Sequence, residues 1–218
     1  MPFTAGLRRE LGRPARQKAP VTEAELKAML TALPATLVGI RDRALLLIGV
    51  VGAFRRSDLV ASPSNPLQTT PAGATISLER SKTAQESTGF AKAIPFVATA
   101  ETFPVRALRA WLEAAGITSG PLFRSVDRHG NVRAVRADGL TVATVVKRAA
   151  LAAGLDAERF SGHSLRLGFV TTAASRNCSE RSIANQTGHR SMLVLRGYIR
   201  RANVFEKNAV TTVIECRQ

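Results

Sequence analysis

Apolar side chains recur along the chain at two periods, and the switches between them mark out its elements. Leu26, Met29, Leu30 and Leu33 share one helical face behind a Thr22–Glu25 capping box, and Pro34 ends the run. A longer apolar stretch, 37–54, predicts a second helix buried on most sides, with Arg41, Asp42 and Arg43 as its solvated first turn. A short helical piece follows at 55–60, and Gly52 and Phe54 before it suggest a tight bend. Residues 61–73, crowded with Pro, Ser, Thr and Asn, read as a loop. Residues 74–78 and 90–97 then read as two strands, joined by a polar loop that begins near Lys82.

The helical period returns with Val105, Leu108, Trp111, Leu112 and Ala115, between Pro104 in a first turn and Gly116. Residues 121–139 are extended or turn-like about His129-Gly130-Asn131, and His129 is given no chemistry. A helix over 140–153 is closed by Gly154. Further helices are expected after His163, over 179–187, around Met192–Leu195 and from 202 onward. The pattern is that of a mainly helical domain with a small β-hairpin, an α+β class, and it holds no internal repeat.

Composition narrows the function. Thirty-one Lys and Arg against 16 acidic residues leave a net charge of +15, spread over the whole chain. A domain-wide excess of this size suits a surface that faces a polyanion, and nucleic acid is the expected partner. Residues 1–20 form a basic arm with Arg8, Arg9, Arg13 and Arg16 and no sustained apolar period. The two cysteines, Cys178 and Cys216, belong to no ligand pattern and fit free thiols in a reducing compartment. The apolar run 44–54 is too short to span a bilayer, and the start of the sequence lacks the apolar core of a signal peptide. A cytoplasmic location without membrane association is therefore expected.

The candidate chemistry gathers near the C-terminal end. His163 and Arg166 are three apart at a helix start, where an anion also meets the positive end of the helix dipole. His189 follows, and then Tyr198, the single tyrosine of the chain. In one straight helix His189 and Tyr198 would stand roughly 13 Å apart. The chain must bend for both to reach one phosphate, and Gly197 would permit it. Such a set can attack a phosphodiester: a phenol supplies the nucleophile, and the Arg and His groups donate to a pentacoordinate phosphate. Arg55 and Asp58, also three apart, share a face upstream; alone they would pass for a surface ion pair.

Taken in order, Gly-Ala-Phe-Arg55-Arg-Ser-Asp58-Leu, Ser-Lys82-Thr, Gly-His163-Ser-Leu-Arg166, Thr-Gly-His189-Arg-Ser and Tyr198-Ile-Arg resemble the tyrosine recombinase (phage integrase) family. The resemblance covers about residues 21–215 and fills all six positions of the family's active-site pattern. It implies the DNA breaking-rejoining catalytic fold and site-specific recombination of double-stranded DNA. Tyr198 would attack the scissile phosphate to give a 3′-phosphotyrosyl link and a free 5′-hydroxyl. Arg55 and Arg166 would clamp the non-bridging oxygens, Lys82 would protonate the leaving 5′-oxygen, and His163 would exchange a proton with Tyr198. His189 would donate to a phosphate oxygen, and Asp58 would brace Arg55. No cofactor, metal or ATP is expected, because the phosphotyrosyl bond conserves the phosphodiester energy and cationic groups stand in for Mg²⁺.

The family also implies a homotetramer on two duplexes, with segment 202–218 as the candidate contact to a neighbour. Two departures from the pattern stand out. Only the basic arm precedes the catalytic region 21–218, so the N-terminal core-binding domain is expected to be absent. The prolines in 62–71 argue against the strand that the family places there. Two rival readings stay open, a type IB topoisomerase with the same chemistry and a DNA-binding module without activity.

Overall fold

A computed structural model describes residues 18–61, 67–78, 90–96, 104–189 and 191–202. Helix α1 (Glu23–Thr31) begins at the expected capping box. The Glu25 N–H donates to the Thr22 hydroxyl at 3.4 Å, and the Glu25 carboxylate accepts the Thr22 N–H at 2.8 Å. Helix α2 (Leu37–Val51) starts at Thr36 and buries Ala44 through Ile48 completely or nearly so. Its first turn corrects the sequence expectation. Arg41 and Asp42 are buried and paired at 2.9 Å, and Arg148 closes on the second Asp42 oxygen from another helix. A charged cluster is tolerated there because the carboxylate is shared by two guanidinium groups; Arg43 alone stays exposed, donating to Leu30 O at 2.9 Å.

The chain then turns sharply through Gly52 and Ala53, which takes a positive φ of 46°, into the five-residue helix α3 (Arg56–Val60). A second correction follows in the segment read as a loop. Strand β1 (Leu67–Thr70) pairs antiparallel with β2 (Gly73–Leu78), which pairs in turn with β3 (Phe90–Pro95), giving the order β1-β2-β3. The physical reason is the edge position: β1 is largely exposed, so Gln68, Thr69 and Thr70 need no apolar alternation. Pro71 lies just past its end, where no ladder hydrogen bond is lost.

Helix α4 (Pro104–Ala114) buries Val105, Leu108 and Trp111 and packs along α2. The region read as extended is a second hairpin, β4 (Arg124–Val126) with β5 (Val132–Arg136). Its turn is tied by Asp127, whose carboxylate accepts the N–H groups of His129 and Asn131, and Gly130 supplies a φ of +87°. Exposed His129 is the turn residue that the sequence suggested.

Helix α5 (Gly139–Ala152), a short 3₁₀ turn (Ala157–Arg159) and α6 (Gly162–Ser175) complete the main core with α2 and α4. Gly168 of α6 faces the backbone of Val21; a Cβ there would lie 2.1 Å from Val21 O. That contact lets the Val21 N–H donate to Ser164 O at 3.0 Å and lays the segment before α1 across α6. Helices α7 (Glu180–Thr187) and α8 (Met192–Ala202) pack on the far side of α6 around a small core of their own, Val170, Ala174, Ile183 and Leu195. Met192–Leu195 and Tyr198 therefore belong to one continuous helix. Gly197 is helical and makes no bend: His189 stands just past the left-handed Gly188 cap of α7 (φ 67°), outside α8, so it and Tyr198 do not share one helix. Tail 203–218, with Cys216 and the expected C-terminal helix, lies outside the described residues, as does most of arm 1–20.

Candidate active site

Four separate pieces of chain deliver side chains to one open cleft of about 420 Å³, lined by Arg55, Arg56, Ser57, His163, Arg166, His189 and Tyr198. Arg55 is the residue on which α3 starts, and Asp58 one turn on lies 3.6 Å from its guanidinium. More than half of the Arg55 side chain is exposed, whereas Asp58 is mostly covered, so the carboxylate braces a cation that faces solvent. His163 and Arg166 project from the first turn of α6, whose position is set by the Ser161–Ser164 capping box. His189 follows the left-handed cap of α7, and Tyr198 leans on the small second core through α8.

Arg166 is buried, and its guanidinium is divided between two tasks. Nη1 donates to Ala53 O at 2.8 Å and to Thr187 O at 2.5 Å, tying the turn before Arg55 to the end of α7. Nη2 lies 3.1 Å from His189 Nε2. A guanidinium only donates, so Nε2 accepts here and the His189 proton sits on Nδ1. That N–H points at the Thr187 hydroxyl, 2.7 Å away, which passes its own proton to Ile183 O at 2.7 Å. The tautomer of His189 thus follows from a chain of donors that ends in the α7 backbone.

The local charge agrees. Burial first, then the Arg166 guanidinium, holds the His189 imidazole down to about 4, with Arg55, His163 and Lys92 acting in the same direction. Burial and Arg166 also lower His163. Burial, and next the charge of Arg55, brings Arg166 to about 10, still cationic at neutral pH. The Tyr198 hydroxyl lies 3.5 Å from His163 Nε2, and the two histidine rings stand 6.1 Å (His163) and 5.9 Å (His189) from the tyrosine ring. A phenol therefore stands at the edge of an imidazole held neutral, beside two guanidinium groups with room for an anion between them.

Five of the six expected catalytic side chains, with Asp58, are brought together in this way. Lys82 lies outside the described residues. The sequence reading passed over Thr187, which orients His189, and over Lys92. Lys92 faces inward on β3, 3% exposed, and its Nζ donates to the carbonyls of Gly52, Ala53 and Gln186. A signal for it existed: Lys92 and Ile94 alternate with Ala91 and Ala93, which puts a lysine on the buried face of the strand. Among the described residues no three His, Cys, Asp or Glu side chains are grouped to hold a metal ion.

The model of the phage integrase family matches residues 20–203. The chain belongs to that family, the tyrosine recombinases. It is 39% identical over 207 residues to an integrase/recombinase xerD homolog of Selenomonas ruminantium, covering 94% of this chain and 61% of that relative. Among solved structures it resembles XerA recombinase (TM-score 0.64, 18% identity, 95% of this chain and 66% of that one). It also resembles a lambda integrase dimer bound to a core site (TM-score 0.62, 19% identity, 93% and 65%) and XerH recombinase in a pre-cleavage complex with its difH substrate (TM-score 0.64, 18%, 88% and 53%). These likenesses establish the tyrosine recombinase catalytic fold. The chain spans about three fifths of the xerD homolog and about half of the XerH chain. No helix among the described residues is long and apolar enough to cross a membrane.

Proposed function

We propose that this chain is the catalytic part of a site-specific DNA recombinase and that Tyr198 is its nucleophile. The observation that carries the reading is the Tyr198 hydroxyl against His163 Nε2, on a cleft that also receives Arg55, Arg166 and His189. Neutral His163 accepts the phenolic proton as the Tyr198 oxygen attacks phosphorus. The bond to the 5′-oxygen breaks, and that oxygen leaves as a hydroxyl after taking a proton, for which Lys82 is the proposed donor. Arg55 and Arg166 neutralise the non-bridging oxygens as charge builds on the phosphorane. A 5′-hydroxyl of the same or another strand then reverses the attack, and the proton returns to Tyr198. The phosphodiester energy is kept in the phosphotyrosyl bond throughout.

Residues 21–218 act as the catalytic domain in this reading, on double-stranded DNA, with four protomers on two duplexes and segment 202–218 as a contact to a neighbour. The sequence likeness to an integrase/recombinase and the fold likeness to recombinases solved with their DNA sites support it. Covalent trapping tests it. A duplex nicked near the cleavage point loses its short 5′ fragment, so religation stops and the adduct accumulates. Wild type should yield a DNA adduct that mass spectrometry places on Tyr198, and Tyr198→Phe should yield none. An adduct that survives in the Phe variant refutes the assignment. With two intact duplexes, strand transfer is the expected outcome, and supercoil relaxation without transfer would indicate a topoisomerase instead.

A further inference from the structure

A second buried cation stands behind the cleft, and nothing in the proposed chemistry uses it. Lys92 projects from β3 into the space between the Gly52–Ala53 turn and the last turn of α7. Its Nζ donates to Ala53 O at 3.1 Å, to Gln186 O at 2.8 Å and to Gly52 O, and it lies 4.7 Å from the centre of the Phe54 ring. These three carbonyls, all among the described residues, can take the three protons of an ammonium, whereas a neutral amine has one too few. The acceptors come from the two segments that aim the cleft residues. Gly52 and Ala53 lead directly into Arg55, and Gln186 precedes Thr187 and His189. Ala53 O is shared with Arg166 Nη1, so two cations grip one carbonyl of a residue held at positive φ, a conformation that an alanine adopts only at a cost. The Gln186 side chain adds a brace between the same parts, donating to Val51 O at 2.9 Å and to Ala93 O at 3.3 Å.

We propose that Lys92 is a positioning residue for strand cleavage: its ammonium pins the turn before Arg55 to the C-terminal end of α7, so that Arg55, Arg166 and His189 address one phosphate. The inference rests on the reading of this cleft as a phosphate-attacking site. It differs from the general-acid role proposed for Lys82, since Nζ of Lys92 faces backbone carbonyls behind the cleft. A pH dependence follows from its surroundings. Among the described residues, Arg166 on α6, Arg55 and Asp58 about α3, and His189 beyond α7 are charged and titratable groups that bear on it. Burial chiefly, then Arg166, with Arg55 in the same sense and Asp58 opposing, brings the ammonium down from 10.5 to about 7. Below that pH the pin is complete. Above it the amine has one donor fewer, and the tie between the turn and α7 is weakened.

The test is the rate of covalent adduct formation in a single turnover, from about pH 6 to about pH 9, in wild type, Lys92→Met, Lys92→Arg and Tyr198→Phe. Lys92→Met should be about tenfold slower than wild type at the acid end and approach it at the alkaline end, where wild type has lost the same charge. Lys92→Arg keeps its charge, so its ratio to wild type should rise with pH even if the Met variant fails to fold. Packing alone would give ratios that do not move with pH, and that result overturns the proposal. An NMR titration without DNA gives an independent reading. The Lys92 Cε resonance should titrate in one step with the backbone amides of Ala53 and Arg55; amides that stay still while Lys92 titrates also overturn it. Loss of the Tyr198 assignment would appear separately, as an adduct in Tyr198→Phe or as no adduct in wild type, and the NMR titration would still decide on Lys92.

Discussion

Replacing Arg166 by lysine keeps the charge and removes the fork. In wild type one nitrogen, Nη1, is spent on Ala53 O and Thr187 O, and Nη2 is engaged with His189 until a phosphate competes for it. A lysine has three protons on one nitrogen. If two go to the carbonyls, one remains for the phosphate, without bidentate geometry; if they go to the phosphate, a buried carbonyl is orphaned at about 1–3 kcal/mol. Loss of one well-aimed donor to developing charge costs about 3–4 kcal/mol of barrier, or a factor of about 10²–10³ in rate. Arg166→Lys should therefore bind duplex DNA within about threefold of wild type, because total charge sets most of that affinity. Covalent adduct formation should be slower by about 10²–10³. Filter binding at fixed salt and single-turnover trapping on the same preparation measure the two. Cleavage within a few-fold of wild type would show that the division of tasks read from Arg166 is wrong.

Two further predictions concern stability. Asp42 is 1% exposed and is shared by Arg41 and Arg148, so Asp42→Ala strands the buried Arg41 guanidinium and should cost about 3–5 kcal/mol. In a domain of this size that lowers Tm by about 10 °C, read by a thermal melt; a shift under about 2 °C would mean that water relieves the site. His189 is lowered from 6.5 to about 4, so between these values the unfolded chain binds more protons than the folded one. Its contribution to stability is present above 6.5 and is lost as pH falls towards 4. His189→Gln should flatten that part of the Tm-against-pH curve, leaving the smaller slope of His163, which is lowered too. An unchanged slope would show that His189 is not held neutral.

What the sequence disclosed, and what it hid, divides along the range of the interactions. Arg55 with Asp58 and His163 with Arg166 are pairs within one helical turn, so their spacing alone states which face they share. The Thr22–Glu25 capping box and the Gly130 turn are local in the same sense, and both were legible. The misreadings all concern elements whose character is set from elsewhere in the chain. The first turn of α2 looked solvated because Arg41, Asp42 and Arg43 are charged, but Arg148, far along the sequence, supplies the second partner that allows burial. Strand β1 looked like loop because an edge strand draws its order from the ladder of β2 and needs no apolar face. Gly197, next to Tyr198, looked like a bend, but it stays helical once α8 packs on α6, and His189 stands outside that helix, past the Gly188 cap of α7.

Lys92 shows the same limit at the site itself. The strand alternation already puts it on the buried side, but its acceptors are backbone carbonyls at 52, 53 and 186, and carbonyls leave no trace in residue identity. The side chains proposed to face the phosphate form a motif because that chemistry requires a particular residue type at each position. The groups that aim them are main-chain atoms brought together by the sheet, α2 and α7. Lysine at 92, glutamine at 186 and threonine at 187 are points where side chains enter that hidden scaffold. If the pH-dependent ratios at Lys92 appear as expected, aiming and reacting are separable in this cleft: a change at position 92 would alter how often Arg55, Arg166 and His189 align while leaving the reacting groups themselves intact.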